Sequence, residues 1–208
     1  MKRILSVIIV MTLMMPALPA YALWGNSALE PVATATVKPI KPTTTMKPNM
    51  TSDDEIIIAN SSTRIYGDAD LENNIRLAAE AINGSIFNRW DEFSFNNLVG
   101  PREELYGYKE AVNGRGVIVV GGGVAQVAST IYLSIKRLNC IEIIEKNTYG
   151  SNYQGKYVTD EEDAIMTDYN ANYDFRFCYV GYNSLRINLY ISDSILYCEL
   201  YERELFNN

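Results

Sequence analysis

The chain contains no histidine. That absence removes the usual base for a serine or cysteine nucleophile, and the commonest zinc ligand, before any motif is read. Cysteine is scarce as well: Cys140, Cys178 and Cys198 form no C-x-x-C pair. Cys178 and Cys198 both fall in late strand-like runs, and in a simple meander a whole strand would part them, setting their Cα atoms about 10 Å apart, too far to bridge. Three mostly buried thiols are therefore expected. No internal repeat is visible, and beyond the N-terminus no apolar run approaches the roughly 20 residues of a membrane span. Basic charge is also short. Of 25 acidic and 18 basic residues, all but Glu30 and Asp53, and all but Lys2, Arg3, Lys38, Lys41 and Lys47, fall from residue 54 onward, leaving 23 against 13. Such an acidic body repels phosphate backbones and anionic lipid, so nucleic acid is not an expected partner.

What is present begins with an export pattern. Lys2 and Arg3 precede an apolar run from Ile4 to Met15, and Ala20-Tyr21-Ala22 supplies a small-x-small cleavage site. Residues 1–22 read as a signal peptide and place the protein outside the cytoplasm. The rival reading is an uncleaved anchor, in which case the N-terminus is the only contact with a membrane. Residues 23–53 hold four of the seven prolines with many threonines and alanines, which is the composition of a spacer. Residues 54–208 are long enough for one core.

Within that domain, Leu71, Ile75, Ala78 and Ile82 recur at helical spacing between Asp68 or Asp70, as N-cap, and Gly84, as stop. Phe93 to Phe95 predicts a strand, "REELYGYKEAVN" a short helix weakened at Gly107, and Thr63 to Gly67 a short strand. "GVIVV", residues 116–120, is β-branched throughout and predicts a buried central strand. Val124, Val127, Ile131, Leu133 and Ile135 predict a second main helix to about Leu138, and Cys140 to Glu145 a strand. The tail from Tyr173 carries three strands separated by Gly181-Tyr182-Asn183 and Ser192-Asp193-Ser194, a meander by its spacing. The expected class is α+β: one domain with two main helices, a glycine-rich strand-to-helix turn and a mostly antiparallel sheet.

The turn, Gly121-Gly122-Gly123, is where chemistry is expected. Glycines admit positive φ and close approach of a ligand, and unpaired amides at the start of the following helix favour an anion or a thiolate. Residue 125 lies in that first turn, and it is alanine. Neither G-x-G-x-x-G nor a Gly-Lys-Ser/Thr sequence occurs, so no dinucleotide or phosphate-loop cofactor is read, nor any other cofactor. "DEED", residues 160–163, lacks the alternating ligand spacing and central glycine of a calcium loop, and no metal site is assigned. Tyr149, Tyr153 and Tyr157 could rim a groove for a polar polymer, although local packing is the commoner role of such residues.

"EFSFNNLVGPR", "GYKEA" and "GGGVAQVASTIY", followed by "EKNTYGSNY", "EEDAI" and "YDFRF", resemble the VanW family of exported cell-envelope proteins, from about Thr63 to Phe177. The resemblance implies a site related to that of L,D-transpeptidases, in which some members use a cysteine. The family pattern is met at Gly121, Gly122, Gly123, Gln126, Ser129, Thr130 and Glu145. It fails at the chemistry: Ala125 stands where the cysteine is expected, Tyr149 where a histidine is expected, and Lys146 replaces an arginine. No residue is therefore assigned a catalytic role. Ser129 is expected to bond a carbonyl of its own helix, and Asp163 and Asp174 to hold loops. The candidate ligand groove comprises Gly121, Gly122, Gly123, Ala125, Gln126, Ser129, Tyr149 and Asp163. The leading expectation is an inactive domain that binds peptidoglycan or a cell-envelope protein. Two alternatives stand beside it: a peptidoglycan-modifying enzyme with unorthodox residues, and a purely structural interaction module.

Overall fold

A computed structural model describes residues 55–203; the signal-peptide and spacer readings lie outside the described residues. Helix α1, Ala69–Ile82, starts where the Asp68 carboxylate accepts the Leu71 amide at 3.0 Å. Asp70 and Glu72 in its first turn favour the positive end of the helix dipole. Its apolar stripe, Leu71, Ile75, Ala78, Ala79 and Ile82, is buried. Among the described residues no helix is long and apolar enough to cross a membrane.

The stripe packs on a four-stranded antiparallel sheet in the order β1-β9-β8-β2, formed by Glu55–Arg64, Ile195–Arg203, Ser184–Ser192 and Ile86–Phe87. In β9 the alternation is plain: Leu196, Cys198 and Leu200 are fully buried, and the residues between them are not. The β8–β9 turn holds Asp193 and Ser194 at φ of 52° and 55°, the double positive φ of a two-residue hairpin. Helix α3, Ala125–Ile135, lies against β1 and β9 and is buried around most of its girth.

A second antiparallel sheet, β3-β7-β6, joins Glu92–Ser94, Phe175–Tyr179 and Ile141–Lys146. Its core is aromatic. Phe93 stacks on Phe177 with ring centroids 4.6 Å apart, and Phe175 and Phe87 meet Phe93 edge-on. Between Ser94 and Gly100 runs a five-residue helix, α2, Phe95–Val99, begun by Ser94 Oγ accepting the Asn97 amide at 3.2 Å. A two-stranded ribbon, β4-β5, pairs Glu110–Val112 with Ile118–Val120.

The α+β class, the two main helices, the glycine-rich turn and the antiparallel pairing agree with the sequence. Several local expectations do not. The predicted meander divides, because β7 joins β3 and β6 while only β8 and β9 continue as neighbours; the aromatic face of β7 finds its partners in Phe87 and Phe93. The run 116–120 is not a buried central strand: Val117 and Ile118 are more than half exposed on the outer ribbon. Phe95 opens a helix, because Ser94 caps it, and "REELYGYKEAVN" forms a single 3-10 turn, Glu104–Tyr106, and then β4. The strand expected at 63–67 lies earlier, since pairing along β9 overrides the weak pattern of β1. All three cysteines are free, with Cys198 buried and Cys140 and Cys178 half-buried.

Candidate functional site

The glycine turn is built by a close crossing of backbones. A Cβ at Gly122 would overlap the carbonyl of Ala111 in β4, so no other residue fits. Gly121 and Gly123 hold φ of 78° and 91°, a region that side chains disfavour. Asn74 of α1 pins the crossing. Its Nδ2 donates to the carbonyls of Gly122 at 2.9 Å and Lys109 at 2.8 Å, and its Oδ1 accepts the Lys109 amide at 2.8 Å. This fully buried residue was not assigned a role from the sequence; the signal available was an Asn on the apolar face of α1, where only a satisfied amide is tolerated.

The turn delivers the start of α3 to the wall of a cavity of about 400 Å³. Four of the expected groove residues, Gly121, Gly123, Ala125 and Tyr149, line it. The other four lie elsewhere. Gly122 is the crossing point itself. Gln126 is turned into the seam between α3 and β1, where its Nε2 donates to Thr63 Oγ1 at 2.9 Å and the Arg64 carbonyl at 3.1 Å; Thr63 and Thr130 share a further hydrogen bond at 2.7 Å. Ser129 is fully buried behind Ala125, donates to the Ala125 carbonyl at 3.2 Å and accepts the Ile165 amide at 2.8 Å. Asp163 accepts from Lys136 Nζ at 2.6 Å.

The helix start offers fewer free donors than expected. The amides of Val124, Gln126 and Val127 bond to the carbonyls of Gly121, Gly123 and Val124 at 3.3, 2.9 and 3.0 Å. Tyr149 is buried with Ala125 and Ala164 in a small satellite cluster, and burial raises its phenol above the usual range. Tyr153 and Tyr157 are local packing: the Tyr153 hydroxyl accepts the amides of Tyr157 at 3.0 Å and Val158 at 3.2 Å. Asp174 holds its loop by accepting Ser94 Oγ at 2.6 Å and the amides of Asn96 and Phe175, both at 2.8 Å.

Other residues of the cavity went unread in the sequence. Arg102, Arg115, Thr167, Asp168, Tyr169 and Tyr173 line it. Arg102 belongs to the "EFSFNNLVGPR" motif. The lining thus holds two guanidiniums, one carboxylate, hydroxyls and a methyl group, and neither a thiol nor an imidazole.

The VanW-like protein family model matches residues 71–201. The chain belongs to the VanW family. It is 35% identical over 108 residues to the uncharacterized protein YoaR of Bacillus subtilis (strain 168), a match covering 50% of this chain and 34% of YoaR. The chain therefore spans about a third of that relative's length. No solved structure matches. Ala125 contributes only a methyl group to the cavity wall. The chain's own thiols are remote in character: burial pushes Cys198 up to about 12, and burial also raises Cys140 and Cys178. Raised thiols are poor nucleophiles at neutral pH.

Proposed function

We propose that this chain is an exported, non-catalytic VanW-family domain that binds a cell-wall peptide or an envelope protein through the cavity at Ala125. One observation supports the reading: an open cavity has Ala125 on its wall and no thiol or imidazole in its lining, and the sequence resemblance sets Ala125 where the family's cysteine is expected. Nucleophilic catalysis needs an activated nucleophile and a base within hydrogen-bond reach. Ser129, the hydroxyl nearest along the helix, is buried behind Ala125 with both hydrogen bonds made inside the fold. A cavity of this volume is in the range that holds small ligands. Recognition is the role left to it. Export is supported by the basic, apolar and Ala20-Tyr21-Ala22 pattern of the N-terminus.

The test is twofold. The protein is incubated with purified sacculi and with envelope extract, and retention is measured; it is then incubated with tetrapeptide-stem muropeptides and followed by intact-mass spectrometry. Retention without any mass adduct or new crosslink is expected. A covalent adduct or a crosslinked product would replace the binding reading by the enzymatic one.

A further inference from the structure

Two guanidiniums face the cavity, and among the described residues neither belongs to an ion pair. Arg102 is the more constrained. Its Nη2 donates to Asn96 Oδ1 at 2.8 Å and its guanidinium lies 5.5 Å from the centre of the Phe95 ring. Its Nη1 is buried with no hydrogen-bond partner. Burial lowers its pKa from the ordinary guanidinium value, against smaller raising effects from the charges of Tyr108, Asp168, Asp174 and Tyr169. Arg115 reaches Met166 Sδ at 3.1 Å and lies 6.0 Å from the centre of the Tyr149 ring, which are weak partners for a cation.

Of the carboxylates nearby, Asp174 is engaged through both oxygens and Asp168 through one. Asp174 holds Ser94, Asn96 and Phe175. Asp168, the one acidic residue in the lining, accepts the amides of Asn170 and Ala171 on Oδ1 at 2.9 and 3.0 Å. A second buried group without a partner, Thr167 Oγ1, belongs to the same lining. Val124 and Ala125, at the start of α3, line the same cavity. In a domain with ten more acidic than basic side chains, this cavity has the opposite balance, two cations to one anion. A guanidinium with a buried N–H left unpaired is costly, and a bound anion that pairs it would relieve that cost.

We propose that the cavity anchors its ligand through an oxyanionic group, a carboxylate or a phosphate, held by Arg102 with Arg115. The proposal rests on the binding reading above and names the chemistry of the group bound. Guanidinium suits both anions through paired N–H donors. Thr167 Oγ1 adds a neutral donor.

Calorimetric titration of the full chain with sodium phosphate and, separately, with sodium acetate, each against sodium chloride at matched ionic strength, tests it. Saturable heat with at least one of the two is expected, and the anion that gives it identifies the group. Phosphate also stabilises proteins non-specifically, so the comparison is made with Arg102→Gln and Arg115→Gln. Each is expected to weaken binding at least about tenfold, since each removes charge-assisted hydrogen bonds to the anion. Arg102→Lys, which keeps the charge and the packing of the stem, is measured beside them with folding checked by circular dichroism, and should fall between. Absence of saturable binding to both anions in the unaltered chain, or wild-type affinity in a folded Arg102 variant, overturns the proposal. Anion binding without retention on sacculi or extract would instead sink the proposed ligands and leave this site standing. Retention undiminished in folded Arg102→Gln would do the reverse.

Discussion

Ser129 Oγ accepts the backbone amide of Ile165 at 2.8 Å, and both residues are fully buried. The hydroxyl that lies nearest the cavity along α3 is thus a brace that ties the helix to the segment after Asp163, with its proton committed to the Ala125 carbonyl. Removing it takes away one of two acceptors of the Ile165 amide, which also bonds the Asp163 carbonyl at 3.0 Å, so the loss is that of a single hydrogen bond, about 0.5–1.5 kcal/mol. Ser129→Ala should lower the free energy of unfolding in urea by that amount while leaving retention on the ligand unchanged. A folded variant of unaltered stability would show that the brace contributes nothing.

Gly122 admits no side chain, because the Ala111 carbonyl occupies the position of a Cβ. Backbone on backbone cannot yield as a flexible side chain does, so β4 and α3 must separate or the turn must break. Gly122→Ala is expected to lose several kcal/mol, more than the roughly 1 kcal/mol centre of single substitutions, and to express poorly or melt far below the parent. Gly84→Ala makes the comparison: a Cβ there meets nothing within 4 Å, and only the positive φ of 82° is strained. Its loss should be about 1 kcal/mol. Equal losses at the two positions would contradict the crossing geometry.

Ala125→Cys places a thiol on the cavity wall, next to the start of a helix and within a cationic lining, both of which favour thiolate. Iodoacetamide under native conditions should modify the introduced thiol faster than Cys198, which is fully buried and whose thiol is pushed up to about 12. Peptide mapping reads the order directly. No crosslinking of stem peptides is expected, because no imidazole stands in the lining and its one carboxylate, Asp168, already accepts two backbone amides. Crosslinking by this variant would mean that a base is present after all, with Asp168 the first residue to test.

The two helices were legible because their apolar spacing coincides with a local start signal: Asp68 for α1 and the glycine turn for α3. The ribbon misled because a flat β-branched run states only that β structure is preferred, and says nothing of whether a layer covers it; Ile118 is 65% exposed on a two-stranded ribbon. Ile118→Thr should therefore change the melting temperature little, within about 0.5 kcal/mol of stability. Only a quarter of the cavity lining was legible, for a related reason. Gly121, Gly123, Ala125 and Tyr149 carry sequence anomalies, whereas Arg102 and Thr167 look ordinary until burial reveals Nη1 and Oγ1 without partners. Gln126 was drawn into the groove by its place in the motif, and only the fold shows it spent on Thr63 and Arg64.

Acid should act first where β1 meets β8 across β9. Glu55 accepts three hydrogen bonds from Arg186, at 2.6, 3.1 and 3.2 Å, with both side chains at most 10% exposed, and the Arg186 guanidinium lies 4.3 Å from the centre of the Tyr201 ring. Hydrogen bonding from Arg186 lowers the Glu55 pKa below 4.5, against an opposing effect of burial and with help from the charges of Arg186 and Arg203. A carboxyl lowered in the folded state stabilises fully above its unfolded pKa, and that stability fades as pH falls through the folded value. The pair should therefore hold from neutrality to about pH 4.5 and weaken below it. Glu55→Gln strands Arg186, whose Nη1 already lacks a partner, and should cost about 3 kcal/mol at pH 7. In urea unfolding followed from pH 7 downward, the parent and Glu55→Gln should converge below about pH 4.5; a gap that stays constant into acid would show that the pair does not titrate with folding.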